Sequence, residues 1–233
     1  PSPTQTSTPT QPPTSSAPAS PVIPSWNPTL TQAPLPTMTG THRPDVEHGS
    51  HHVWGDQNGD GWGDVLAVDA KGWLNVYWGR KNRLDGRSMK VGPGWGSTRW
   101  VSHVPDVDGN GSDELLAVRQ DGGMYLYRGL GMGQFSAPKK VGRGWNTVGN
   151  ITVLGKNQGR VEVVAVSRQK SLLHYRLEAA KAMTGKKAIG RNWGGITMTA
   201  GAGDFGGDGV NDLYAVTRSG GLRVYHFGGG KVI

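Results

Sequence analysis

The chain has 233 residues, no cysteine and a formal net charge of +8, and its first charged residue of the Lys, Arg, Asp and Glu set is Arg43. That composition excludes a disulfide framework, and without a run of 18 apolar residues the sequence holds no membrane-spanning helix. So basic a chain favours anionic partners, cell-wall polymers or acidic glycans, with nucleic acid not expected; plain solubilising charge is the alternative.

Residues 1–41 are mostly Pro, Thr, Ser, Ala and Gln. Such a segment cannot recover its ordering entropy by burial, so a disordered Pro/Thr/Ser linker is expected. At about 3 Å per residue its limiting reach is about 120 Å. The sequence begins with Pro and shows no apolar leader. We therefore expect a mature or trimmed piece of a longer protein. His48, His51 and His52 follow without an acid or thiolate pattern around them, and no metal site is expected there.

From about residue 42 the chain repeats. "DVLAV" from Asp64, "ELLAV" from Glu114, "EVVAV" from Glu162 and "DLYAV" from Asp212 start 50, 48 and 50 residues apart. "VGPGW", "VGRGW" and "IGRNW" end in phase at Trp95, Trp145 and Trp193. Four units are expected, at about 48–95, 96–145, 146–193 and 194–233. Each alternates apolar and polar residues over short stretches bounded by Gly, Asn and Asp, which is strand periodicity. Four short strands in about 50 residues is the pattern of a propeller blade. "LEAAKAM" from Leu177 is helix-like, yet it falls where the second unit has "GLGMGQF", so it reads as an elaborated turn. "GLGMG" lacks a following helix and "GGGKVI" lacks P-loop spacing, so both read as turns. The sequons at Asn110 and Asn150 are expected to be silent.

The glycine-rich loop before each apolar run carries the chemistry. In the first, Asp56, Asn58, Asp60, the Trp62 carbonyl and Asp64 stand at positions 1, 3, 5, 7 and 9. Alternating hard oxygen ligands suit calcium better than magnesium or zinc. The second loop repeats the plan with Asp106, Asp108, Asn110, the Ser112 carbonyl and Glu114. The fourth keeps Asp204, Asp208, the Val210 carbonyl and Asp212 but has Gly206 at position 3, which makes it a weaker third site. In the third loop the ligand positions become Leu154, Lys156, Gln158 and Glu162, so a Lys156–Glu162 ion pair is expected in place of a metal. Position 12 is Ala67 or Ala117, which excludes an EF-hand. The competing reading is a set of Asx-turns with no metal. No His, Ser or Lys recurs beside the acids, so the ions would be structural, each stabilising by about 1 kcal/mol at millimolar calcium.

Trp95, Trp145 and Trp193 recur once per unit and are expected to pack unit against unit. Trp54, Trp62, Trp73, Trp78 and Trp100 do not all recur and are candidates for stacking on sugars.

"DVDGNGSDELLAV", "YLYRGLGMGQFSAPKKVGRGW" and "DFGGDGVNDLYAV" resemble FG-GAP/VCBS repeats. The resemblance covers the four units. It implies an all-β, integrin-α-like β-propeller of about four blades, where seven are common in the family, with the position-9 acid completing a calcium shell. It also implies a secreted bacterial protein with a hydrolytic domain upstream of the linker. The function expected is a non-catalytic, calcium-stabilised binding module that targets a secreted protein to cell wall or polysaccharide. A protein–protein adhesion module is one alternative; a hydrolase with its site on the propeller face is the other, although no Ser-His-Asp elbow or zinc motif stands out.

Overall fold

The structure, a computed structural model, describes residues 54–81, 83–179 and 181–227. The expected linker, the three histidines near residue 50 and "GGGKVI" lie outside the described residues.

The fold is all-β. The strands are β1 (Val65–Val68), β2 (Leu74–Arg80), β3 (Arg83–Gly92), β4 (Thr98–Val104), β5 (Glu114–Arg119), β6 (Met124–Tyr127), β7 (Gly129–Gly131) and β8 (Gln134–Phe135). They continue with β9 (Lys139–Gly142), β10 (Val148–Asn157), β11 (Arg160–Ser167), β12 (Leu172–Leu177), β13 (Thr184–Gly190), β14 (Ile196–Gly203), β15 (Asp212–Thr217) and β16 (Leu222–Tyr225). Four antiparallel meanders result: β1-β2-β3, β4-β5-β6-β9, β10-β11-β12-β13 and β14-β15-β16, with β7 and β8 a small ribbon in the second. We call them sheets one to four. Each falls within one of the four sequence units. "LEAAKAM" does not form a helix: a turn from Glu178 to Lys181 leads to Met183, whose amide bonds to the Val141 carbonyl of sheet two. Among the described residues no helix is long and apolar enough to cross a membrane.

One hairpin plan recurs because one turn recurs. The amides of Gly72, Gly122, Lys170 and Gly220 bond to the carbonyls of Asp69, Arg119, Ser167 and Thr217. All four donors have positive φ, and only at Lys170 does an L side chain bear that strain. The repeated tryptophans anchor to these same turns: the amides of Trp95, Trp145 and Trp193 bond to the carbonyls of Gly72, Gly122 and Lys170.

Period-2 alternation then sorts each strand into two faces. Val161, Val163, Ala165 and Tyr175 of sheet three bury against Leu116, Val118 and Met124 of sheet two. Val164, Val166 and Leu172, on the opposite face, bury against Leu213 and Ala215 of sheet four. A sheet covered on both faces reads as the near-continuous apolar run "EVVAV". Each tryptophan ring reaches into the next sheet and lies on its tyrosine: Trp95 on Tyr127, Trp145 on Tyr175 and Trp193 on Tyr225, at centroid separations of 4.8, 4.6 and 4.6 Å. The first strands run side by side, β10 lying between β4 and β14. Arg99 donates to the Trp145 and Val148 carbonyls at one of those junctions, and the hydroxyls of Thr152 and Thr199 meet at 2.6 Å at the other.

Candidate functional site

The four loops lead into β1, β5, β11 and β15, and three of them fold on the same hydrogen-bond template. The position-1 carboxylate gathers the amides that follow it. Asp56 accepts from Gly59, Asp60 and Gly61; Asp106 from Gly109, Asn110 and Gly111; Asp204 from Asp208 and Gly209. Asn58 and Asp60 accept from Asp60 and Trp62, and Asp108 and Asn110 from Asn110 and Ser112, which makes successive Asx-turns. Asp208 accepts in the same way from Val210.

The position-9 acid distinguishes the loops. Asp64 is saturated, with Oδ2 accepting from the Gln57 amide at 2.7 Å and Oδ1 from the Gly79 amide at 2.8 Å. Asp212 is likewise engaged by the amides of Gly206 and Phe227 and by His226 Nδ1 at 3.0 Å. Glu114 is one methylene longer. Its Oε2 accepts from the Val107 amide at 2.7 Å, while Oε1, in a side chain whose residue is 1% exposed, has no hydrogen-bond partner. Burial pushes the Glu114 carboxyl up to about 7, the Val107 amide opposing and Asp108, Asp106 and Asp113 adding repulsion. Asp64 is pushed up to about 6, first by burial, with the Gly79 and Gln57 amides opposing and Asp56 and Asp60 adding to the rise. For Asp106, burial acts upward, but the amides of Gly111, Gly109 and Asn110 outweigh it and the carboxyl lies below its usual range.

Only in loop two, among the described residues, do three carboxylates converge: oxygens of Asp106, Asp108 and Glu114 lie within 4.8 Å of one another. Three carboxylates, one of them carrying a buried unpaired oxygen, form a donor set that fits a divalent cation. Arg128 Nε, 2.5 Å from Asp108, already brings one positive charge to this loop. Asn110 does not turn its amide inward; Nδ2 donates to the Gly129 carbonyl. In loops one and four, Asp56, Asp60 and Asp64, and Asp204, Asp208 and Asp212, form no such group.

The third loop corrects an expectation. Lys156 does not pair with Glu162. Its Nζ reaches across to sheet two and donates to the Asp106 carbonyl at 2.6 Å. Glu162 instead faces His174 Nε2 at 3.5 Å and Arg176 Nε at 4.0 Å on its own sheet. The cross-strand register, Glu162 opposite Arg176, decides this. Sequence spacing within a loop carries no information about a reach between sheets.

That reach belongs to a series. At the junction of sheets one and two, Asp113 Oδ2 accepts from the Gly55 amide at 2.6 Å, and Oδ1 accepts from the Asp106 amide. At the junction of sheets three and four, Asn211 Nδ2 donates to the Lys156 carbonyl at 3.4 Å. Each later loop thus sends one side chain back to the backbone of the loop before it. Asp113 and Asn211, both at position 8, escaped the sequence reading. The phase of the repeat marks them, since Gly63 holds that position in loop one. His103, hydrogen-bonded to Gln57 at 3.1 Å, is held down to about 4 by burial, Asp113 opposing.

A separate concavity of about 300 Å³ lies between sheets three and four. Glu162, His174, Arg176 and Lys187 line it from sheet three, and Val210 and Phe227 from sheet four. Trp54 and Trp62 are partly exposed near loop one, whereas Trp78 is buried.

No protein-family model and no curated protein sequence matches this chain. Among solved structures it is similar to the crystal structure of BP39L lectin from Burkholderia pseudomallei, with 21% identity and a TM-score of 0.52. The match covers 77% of this chain and 52% of that one, so the chain spans about half the length of the lectin. At that identity the likeness is one of fold: this chain and the lectin share an arrangement of antiparallel sheets.

Proposed function

We propose that the described domain is a non-catalytic carbohydrate-binding module, built as a four-bladed propeller whose second loop is braced by calcium. The observation that carries the reading is the likeness to a lectin over 77% of the chain. Propeller architecture is supported by the neighbouring first strands β4, β10 and β14 and by the tryptophan–tyrosine stack repeated at each of three junctions. The FG-GAP/VCBS resemblance agrees with it, and with an extracellular setting in which the module targets a hydrolytic partner domain to cell wall or polysaccharide.

Asp106, Asp108 and Glu114 would hold the ion, with Asn110 and the Ser112 carbonyl beside them. The ion would supply positive charge to a buried carboxylate and fix the loop against sheet two. Loops one and four are lesser candidates, because amides already occupy both oxygens of Asp64 and Asp212.

A glycan array and a cell-wall pull-down, each with and without chelator, test the reading. Saturable binding to saccharide supports it, and no binding to any saccharide refutes it. A protein ligand is the second reading, favoured by Met198 and Leu222, which sit exposed on one face of sheet four.

A further inference from the structure

The concavity between sheets three and four differs in kind from the equivalent place on sheet one. Val76, Trp78 and Met89 of sheet one are matched, each 98 residues further on, by His174, Arg176 and Lys187 of sheet three. In sheet one these positions form an apolar bed for the turn of the next sheet. A Cβ added at Gly133 would stand 2.4 Å from Met89 Cε and 3.0 Å from the Trp78 ring, so the turn sits flush against them. In sheet two the same positions are Leu126, Arg128 and Lys139, with Arg128 held by Asp108, and Ala179 and Met183 pack against the core at that junction. In sheet three the same positions are an imidazole, a guanidinium and an ammonium, and a cavity remains.

Apolar-to-charged replacement at a packing surface leaves groups that need a polar partner. Arg160, also on the lining, is held by Glu178 at 2.8 Å. Glu162 lies near His174 and Arg176. Lys187 has no ion-pair partner among the described residues. Arg176 and Lys187 together therefore outweigh Glu162 by one positive charge. Ile189, Val210 and Phe227 supply an apolar wall to the same cavity.

We propose that this cleft binds one anionic sugar unit, bearing a carboxylate or a phosphate ester, its negative group on Arg176 and Lys187. The inference rests on the carbohydrate-binding reading and deepens it. An acidic sugar matches each part of the lining. Arg176 offers a planar fork to an oxyanion, and Lys187 a point charge. The Glu162 carboxylate accepts from ring hydroxyls, while the C–H face of the ring covers Ile189, Val210 and Phe227. A volume of about 300 Å³ is at the small end for ligand sites and suits one ring rather than a chain.

The test is calorimetric titration of the full chain with galacturonate, glucose phosphate, galactose and inorganic phosphate. Saturable binding of galacturonate or of glucose phosphate is expected, and which of the two binds tells the carboxylate source from the phosphate source. Galactose should bind at least about tenfold more weakly. Lys187→Ala, at an exposed position, should weaken the acidic sugar about 10- to 100-fold, the size of a lost charge-assisted contact. Lys140→Ala, elsewhere on the surface, should not. Equal affinity for galactose, or unchanged affinity in Lys187→Ala, overturns the inference, as does binding of inorganic phosphate with neither acidic sugar. If polysaccharide pull-down persists while both acidic sugars give no heat, this site is wrong and the lectin-like reading stands. If no saccharide binds at all, both fall.

Discussion

Replacing Glu114 by glutamine separates a cation-braced loop from one that merely turns. Glu114 is 1% exposed, its Oε1 has no partner, and burial beside three other acids raises its carboxyl to about 7. Leaving a buried polar atom unpaired costs about 1–3 kcal/mol, more when it is charged. Without divalent ions the neutral amide should therefore stabilise the fold by about 1–3 kcal/mol. At about 2–4 °C per kcal/mol for a domain of this size, the melting point should rise several degrees. With calcium the gap narrows. At roughly ten times its Kd the ion adds about 1.4 kcal/mol to the unaltered protein, and the variant, short of one charged ligand, gains less. Thermal melts followed by tryptophan fluorescence, in chelator and in excess calcium, read both arms. Identical melts of the unaltered protein in the two conditions would refute the cation. A lower melting point for Glu114→Gln in chelator would refute the unpaired-oxygen argument itself.

Acidity gives an independent reading. In chelator, Glu114 and Asp64 hold protons more tightly folded, at about 7 and about 6, than their ordinary 4.5 and 3.8, so the folded state binds more protons in between. His103, held down to about 4 from 6.5, works against them by one proton over the same range, so stability should rise as pH falls from about 7 toward 5 by less than the two acids alone would give, measured by denaturant titration, and calcium should flatten or invert that slope. Trp145→Ala removes a ring that is 4% exposed and stacked on Tyr175. It should cost about 3–5 kcal/mol in the same assay; a loss under about 1 kcal/mol would mean the stack does not join the sheets. Gly79→Ala would place a Cβ 2.1 Å from the Gly63 carbonyl oxygen, forcing the loop-one backbone to move. A loss of more than about 2 kcal/mol is expected, and unchanged stability would show that the loop yields freely.

Much of the architecture is written in short range. Period-2 runs such as "ELLAV" and "DLYAV", closed by Gly- and Asp-rich turns, specify strands because a half-buried pleat needs that alternation. The phase of Trp95, Trp145 and Trp193 marks the inter-sheet contacts because every unit repeats one packing problem. The position-1 aspartates are legible too, since an Asx-turn is settled within five residues.

What the spacing left open is where each long-range group ends. Loops one and two carry the same ligand positions, yet only the second gathers three carboxylates, because Asp64 fits between two amides and Glu114 overshoots by one methylene. Lys156 sits where a ligand would be but spans to a carbonyl 50 residues away. His174, Arg176 and Lys187 belong to two strands and acquire a common purpose only when sheet four stands opposite them. The amino-acid order by itself determined the strands, the turns and the repeating junction, because those depend on neighbours in the chain. The tertiary structure decided which acids converge and which basic groups share a cleft, because side-chain reach and the stacking of sheets set those distances.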